Sequence, residues 1–383
     1  MAAFKTTFML PQLTLIGKEC LGDLGVHMKE MGSGKAVIVT DSFMCKSGVA
    51  SKVAGILSEQ GVDSVVFDGV VPNPTLKVIS RLVNYFLSES CDSLVSLGGG
   101  SAHDTAKAVK LLLLKGGYSK TEKMILASVN TTAGTGSEVS KYCIVTDEEK
   151  HHKLSIESRT VVPDIAVNDP ELMLGMPPSL TAATGIDALT HAIEAYTATK
   201  HSELTDCTAV KAVELIFNNL PECCKNGGNV EAREGMAYAE YMAGMSFSNA
   251  GLGLVHAMAH QLGGVYNLPH GVCNAVLLPF VMEFNFDVNV GRYSEIAKKA
   301  KIVPEGLPES ISAKNFIRLI RNLNAELKLP QDIKSLKVKE EDFGMLAQQA
   351  LEDSNYKANS KPATKDDIIG IYKKAYDGKS GRY

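Results

Sequence analysis

The sequence predicts an α/β domain followed by an all-α domain, and three observations carry that expectation. In the first half, short β-branched runs alternate with helical stretches, the pattern of a parallel sheet covered by helices. The pair Pro177-Pro178 then interrupts the chain. Beyond it the apolar spacing is helical almost throughout. The boundary is therefore placed near Pro178, giving domains 1–178 and 179–383.

The chain opens with a stretch, 8–16, that is apolar but interrupted by Pro11 and reads as an edge hairpin. Strands are expected at 36–40, 64–67, 93–97 and 125–129, each β-branched or apolar and bounded by polar or glycine residues. Helices such as 76–87 and 104–114 fall between them. After Pro178, helices are expected at 180–196, 210–220, 230–249, 254–262, 311–327 and 341–351. No internal repeat or low-complexity linker separates the halves, so a cleft between two packed domains is the expected ligand site.

Composition narrows the function classes. With 383 residues, 45% hydrophobic and 21% charged, the chain reads as an ordinary globular protein long enough for two cores. A formal net charge of −4 gives no sign of a nucleic-acid partner. The N-terminus lacks the basic start and long apolar run of a secretory signal, and no apolar run reaches the length of a membrane span; the longest candidate is residues 111–114. Eight cysteines show neither a disulfide-framework spacing nor a CxxC, so a reducing cytoplasm is the expected compartment.

Between residues 187 and 270 the chain carries Asp187-x-x-x-His191, His256-x-x-x-His260 and then His270. Residues four apart in a helix share one face, so each pair projects together. His270, between Pro269 and Gly271, is expected on a turn that ends the second helix and returns an imidazole over the site. Imidazoles with one carboxylate suit Fe²⁺ or Zn²⁺ better than the all-oxygen shell of Mg²⁺ or Ca²⁺. The missing cysteine ligands argue against structural zinc, and an HxxxH without the glutamate of a zincin is not a protease signature. Spacing alone does not say which of the five residues are ligands. A helix-surface pairing is the bland reading of either pair taken singly.

The strand at 93–97 runs into Gly98-Gly-Gly-Ser101 and opens a helix. Glycine there lets a phosphate approach the backbone, and a helix N-terminus offers unpaired N–H groups. A second small-residue stretch, Asn130-Thr-Thr-Ala-Gly-Thr-Gly-Ser-Glu138, also follows a strand. Together they point to a bound nucleotide. Asp41, at the end of the strand at 36–40, serves either as a ribose acceptor that favours NAD over NADP or simply as a helix N-cap.

At these motifs the chain resembles the iron-containing (group III) alcohol dehydrogenases. The resemblance rests on Pro72-Asn-Pro-Thr75, Gly98-Gly-Gly-Ser101, the 130–138 stretch, Gly175-Met-Pro-Pro178, residues 182–196, residues 256–264 and residues 269–279. It implies the dehydroquinate synthase-like fold of that family, with an N-terminal nucleotide-binding and a C-terminal metal-binding domain. It also implies Asp187, His191, His256 and His270 as metal ligands, with His260 as a proton-relay residue beside them. The NAD residues implied are Asp41, Asn73, Gly99, Gly100, Ser101, Asp104, Thr131, Thr132, Thr135, Ser140 and Lys153. Tyr142, Phe247 and Leu252 match positions that line the substrate pocket in relatives. The implied activity is NAD-dependent oxidation of a short primary alcohol to an aldehyde, and the reverse, with Fe²⁺ or alternatively Zn²⁺ activating the oxygen.

Three stretches depart from the family pattern. The 115–123 connection is short, Phe280 stands where many relatives carry another histidine, and 357–362 replaces a Thr-Asn-Pro-Arg-like stretch. These bear on substrate range, with lactaldehyde/1,2-propanediol or 1,3-propanediol oxidoreductase as the alternative. Relatives that act on phosphorylated substrates, the glycerol-phosphate dehydrogenases and dehydroquinate synthases, should carry extra Lys or Arg on the metal helices, and residues 181–198 carry none. A homo-oligomer is expected, as in relatives, with the 8–16 stretch as a pairing edge. The remaining histidines, His27, His103, His151, His152 and His201, are expected to play surface roles.

Overall fold

The computed structural model describes residues 6–117, 124–148 and 152–378, with only the backbone of His152 and Lys153. These residues fall into two compact units. One runs from Met9 to Leu174, and the other from Gly175 onward, with residues 6–8.

The first unit contains, in order, β1 (Leu13–Ile16), α1 (Leu24–Glu30), β2 (Lys35–Val39), α2 (Ser42–Lys46), α3 (Val49–Glu59), β3 (Asp63–Phe67), α4 (Leu76–Ser88), β4 (Ser93–Gly98), α5 (Gly100–Lys115), β5 (Ile125–Asn130), β6 (Tyr142–Asp147), β7 (His152–Glu157) and β8 (Ile165–Asn168). Six strands form one sheet in the order β1-β8-β5-β4-β2-β3, parallel at every pairing. Both faces are covered, as parallel sheets require. Alternate residues of β2 show this: Ala36 and Ile38 pack with α1 and α3, while Val37 and Val39 pack with α4 and α5. The order reverses at β2, whose neighbours are β3 on one side and β4 on the other. In open α/β sheets ligands bind outside the carboxyl ends of the strands at such a switch point. Here those ends are Val39, two residues before Asp41, and Gly98.

The opening stretch is not a hairpin. It supplies the single strand β1, which pairs in parallel with β8 across about 150 residues of sequence. Pro11 precedes the strand, where its missing N–H is harmless. The antiparallel hairpin β6–β7 and the strand β8 are elements the sequence reading did not anticipate.

The second unit contains α6 (Pro178–Thr197), α7 (Glu203–Lys225), α8 (Val230–Ala250), α9 (Leu254–Tyr266), α10 (His270–Phe284), α11 (Phe286–Lys299), α12 (Glu309–Glu326), α13 (Phe343–Glu352) and α14 (Lys365–Asp377). Proline at the start of α6 suits a position whose N–H has no helical acceptor. This helix is buried around nearly its whole girth from Thr181 to Tyr196, against α7, α8 and α10. Glycines permit those close approaches. A Cβ at Gly185 would stand 2.3 Å from Leu220, and one at Gly271 would stand 2.2 Å from the carbonyl oxygen of Ala183. Among the described residues no single helix is long and apolar enough to cross a membrane.

Candidate active site

Helix α6 brings Asp187 and His191 one turn apart on one face, and α9 brings in His256. His270 does not end α9. The chain leaves that helix through left-handed Asn267, and after Pro269 His270 is the first residue of α10. Gly271, against Ala183, lets that helix start sit directly on α6.

One ligand atom from each of Asp187, His191, His256 and His270 lies within 4.8 Å of all the others. From Asp187 Oδ1 the Nε2 atoms of His191, His256 and His270 stand at 3.9, 3.6 and 3.5 Å. Metal bonds of about 2.0–2.2 Å put tetrahedral ligands about 3.4 Å apart, so one ion fits this set with modest contraction. The electrostatics agree. Burial alone would raise the Asp187 carboxyl, yet the surrounding imidazoles outweigh it and hold the group well below the usual carboxylate range. Burial would lower His256, yet bonds to Asp187 and Glu194 push it up to about 9. The cluster thus stabilises a positive charge at its centre. Three imidazoles and one carboxylate are a donor set for a borderline divalent ion.

His260 takes another partner. Its Nδ1 lies 2.8 Å from Oδ2 of Asp353, just beyond α13, and its ring stacks on His270 at 5.3 Å. Because a carboxylate only accepts, Nδ1 carries the proton and Nε2 is left to accept one. Phe247 of α8 stacks on the His191 ring at 4.3 Å, and Leu252 follows in the turn before α9. Tyr142 opens β6 in the other unit.

Three side chains about this cluster were missed from the sequence. Asn274 donates Nδ2 to Asp187 Oδ1 at 2.6 Å and approaches Nε2 of His256 and His270. Glu194 bonds His256, and Asp353 bonds His260. Asn274 is four residues from His270 and Glu194 seven from Asp187, so helical spacing held a signal for both. For Asp353 it held none.

In the α/β unit, Gly98 of β4 pairs with Asn130 of β5, which sets the two small-residue loops side by side, next to the switch point. Gly98 has a φ of +146°, a conformation that favours glycine. A Cβ on Gly99 would meet Thr132 at 2.9 Å, and one on Gly100 would meet Thr135 at 3.1 Å. The backbone N–H groups at the start of α5, from Gly100 and Ser101, have no helical acceptor there. Thr131 is buried beside them. Asp104 is held by the Ser137 hydroxyl and the Ile144 N–H, at 2.7 and 2.9 Å. Asn73 sits at left-handed φ +55°, next to Pro74, whose carbonyl accepts the Thr146 N–H. Asp41 caps α2, with Oδ1 accepting from the Phe43 and Met44 N–H groups. Lys153 lies in β7, paired with Thr146, and its side chain is outside the described residues.

Two buried groups in this unit correct or extend the sequence reading. His103 has no surface role. It is fully buried in α5, with Nδ1 2.8 Å from the Ser96 hydroxyl. Lys107, one turn on, is also fully buried and donates to the Ser140 carbonyl, the Ser140 hydroxyl and the Tyr142 carbonyl. It therefore fixes both the Ser140 side chain and the backbone beside Tyr142. His27 and His201 remain partly exposed and pair with Glu30 and Asp206. His151 and the His152 side chain are outside the described residues.

Two family models match the chain, iron-containing alcohol dehydrogenase over residues 11–170 and the C-terminal part of the Fe-containing alcohol dehydrogenase family over residues 181–376. The chain belongs to the iron-containing alcohol dehydrogenase family. It is 41% identical to the NAD-dependent methanol dehydrogenase of Bacillus methanolicus, covering 97% of this chain and 100% of that one. Alcohol dehydrogenase 4 of Saccharomyces cerevisiae is 42% identical over 97% of this chain and 99% of its own length. A solved 1,3-propanediol oxidoreductase superposes with a TM-score of 0.93 at 38% identity, over 97% of this chain and 100% of that one.

Within this family of alcohol dehydrogenases, two of the chain's departures have structural uses. Phe280 is buried in α10, under the Arg321 guanidinium at 4.3 Å from its ring centre. In the 357–362 stretch, Asn359 accepts the Leu254 N–H at the start of α9, and Lys361 bonds the Phe284 carbonyl and Asp287. Of the 115–123 connection, residues 118–123 lie outside the described residues.

Proposed function

We propose that this chain is an NAD-dependent, Fe²⁺-activated alcohol dehydrogenase that interconverts short-chain primary alcohols and aldehydes by hydride transfer. The observation that carries the reading is the cluster of Asp187, His191, His256 and His270. In this reading these four hold the ion, Fe²⁺ or alternatively Zn²⁺. The ion, when bound, supplies Lewis-acid polarisation of the substrate oxygen, and NAD supplies the hydride acceptor.

The chain's own residues do the rest. Gly99, Gly100, Ser101, Thr131, Thr132, Thr135 and Ser140 cradle the dinucleotide, with the α5 N-terminus facing its phosphates. Asn73, Asp104 and Lys153 complete the NAD set, and Asp41 accepts from the ribose and repels a 2′-phosphate. Asp353 holds the Nδ1 proton of His260, so Nε2 accepts the proton released from the alcohol and passes it towards solvent. In the helical unit Phe247 and Leu252 are read as substrate-contacting residues, and in the α/β unit Tyr142 is.

A diol substrate is the second reading, favoured by the likeness to the 1,3-propanediol oxidoreductase structure. The working form is read as a homodimer in a reducing cytoplasm. Eight free cysteines and the edge position of β1 support that reading.

The test is NADH formation by metal-defined protein on ethanol, butanol, 1,2-propanediol and 1,3-propanediol. Activity should vanish on chelation and return with Fe²⁺. Chelator-insensitive turnover, or none with any of the four alcohols, defeats the proposal.

A further inference from the structure

Helix α9 begins without a capping side chain of its own, since its N-cap is Gly253. Two side chains from elsewhere take that role. Asn359 Oδ1 accepts the Leu254 N–H at 3.2 Å, and Glu194 Oε1 accepts the Val255 N–H at 2.6 Å. A Cβ at Gly253 would stand 2.9 Å from Glu194 Oε1, so glycine there is what lets the carboxylate reach the helix start. The positive end of the helix dipole favours an ionised acid in that place.

The second oxygen of Glu194 does something a cap does not require. Oε2 lies 2.6 Å from Nδ1 of the next residue, His256. A carboxylate has no proton to give, so Nδ1 carries it and the Nε2 lone pair is left for the cluster. Nε2 is the atom that stands 3.6 Å from Asp187 Oδ1. Glu194 is 6% exposed and His256 1% exposed, so water does not compete at this bond. Asp187, His191 and Glu194 occupy two turns of α6. One helix therefore supplies two of the four cluster residues and fixes a third on another helix.

We propose that Glu194 is a positioning residue that sets the tautomer and ring angle of His256 and thereby the metal affinity of the site. This rests on the reading that the four-residue cluster holds a divalent ion. Carboxylate partners of metal-bound histidines act in this way in general, and losing one typically costs about 10–100-fold in affinity.

Glu194→Gln separates capping from positioning. The Val255 N–H can only donate, so the amide turns its oxygen towards it and presents its NH₂ to His256 Nδ1. Nδ1 must then accept, which places the ring proton on Nε2, where it opposes a metal. Glu194→Ala, which leaves both partners without the carboxylate, is the second variant, and His256→Ala tests the underlying reading. Zn²⁺ alone is the probe, its affinity measured on the full chain by competition with a chromophoric chelator. Nitrogen-15 spectra of histidine-labelled, metal-free protein, recorded above the His256 titration at about 9 so that the ring is neutral, report the tautomer.

Glu194→Gln is expected to bind Zn²⁺ about 10–100-fold more weakly, with His256 shifted to the Nε2-protonated form. Glu194→Ala should also weaken binding. Wild-type affinity in whichever of the two variants folds overturns the proposal. If His256→Ala also binds as the wild type does, the metal reading itself fails. Loss with His256→Ala but not with the Glu194 variants defeats only the role of Glu194.

Discussion

His260 and Asp353 are 93 residues apart in the chain and 2.8 Å apart in space, imidazole Nδ1 to carboxylate Oδ2. The carboxylate fixes which ring nitrogen carries the proton, and so which one can accept another. Asp353→Asn offers the ring either an acceptor or a donor and removes that constraint. It should lower kcat by about tenfold or more, a part of the roughly 10²–10⁴-fold that a proton-transfer group supplies, and leave metal content unchanged. Steady-state kinetics beside metal analysis checks this. Unaltered kcat would remove His260 from proton transfer.

Gly271 is where α10 meets α6. In Gly271→Ala the new methyl would overlap the Ala183 carbonyl at 2.2 Å, and backbone does not yield as a side-chain tip does. Overpacking of this kind costs about 1–3 kcal/mol. The helix start must move, and His270 moves with it, so both thermal stability and metal affinity should fall. A variant that keeps the wild-type melting temperature and binds metal normally would show that this helix contact does not set the site.

Asp41 both caps α2 and, in the proposed function, faces the ribose. Glycine keeps most of the value of an N-cap, losing only a few tenths of a kcal/mol. Asp41→Gly should therefore leave stability nearly unchanged while raising kcat/KM for NADP relative to NAD. If the ratio does not move, the carboxylate is only a cap.

Burial, and then the neighbouring Lys107, push the His103 imidazole down to about 3. In the unfolded chain it titrates near about 6.5. Below that pH the unfolded state takes up a proton that the folded state refuses. His103 thus favours folding fully above about pH 6.5, and that share is lost as pH falls towards about 3, at up to about 1.4 kcal/mol per unit. Denaturant unfolding of wild type and His103→Asn at pH 7 and pH 5 measures it. The stability gap between them should shrink at the lower pH. A constant gap would mean that the group is not held neutral.

The parts of this molecule legible in its sequence are those written in local spacing. The strands ending at Val39, Phe67, Gly98 and Asn130, and the long helices after Pro178, follow from β-branched runs and helical periodicity. Strand β1 was misread as half of a hairpin because its partner, β8, lies about 150 residues away and a parallel pairing leaves no turn signal. His103 was misread because glycine turns are normally exposed, whereas here the helix that follows is buried at its first turn. At the metal cluster, spacing offered five side chains without ranking them. The family resemblance, not spacing, set His260 apart from the four, and the tertiary fold adds its partner Asp353. Glu194 and Asn274 lay within helical reach of the motif, but residues of these types are common on helices and neither pointed to the site alone.

In the proposed function Asp187, His191, His256 and His270 together bind one divalent ion. The most direct test of this is the Fe²⁺ stoichiometry of protein reconstituted without oxygen, wild type against single alanine variants of these four residues and of His260. One ion per chain is expected in the wild type, none retained after desalting in the four cluster variants, and one in His260→Ala. Full occupancy in His256→Ala or His270→Ala, or loss of the ion in His260→Ala alone, would contradict it.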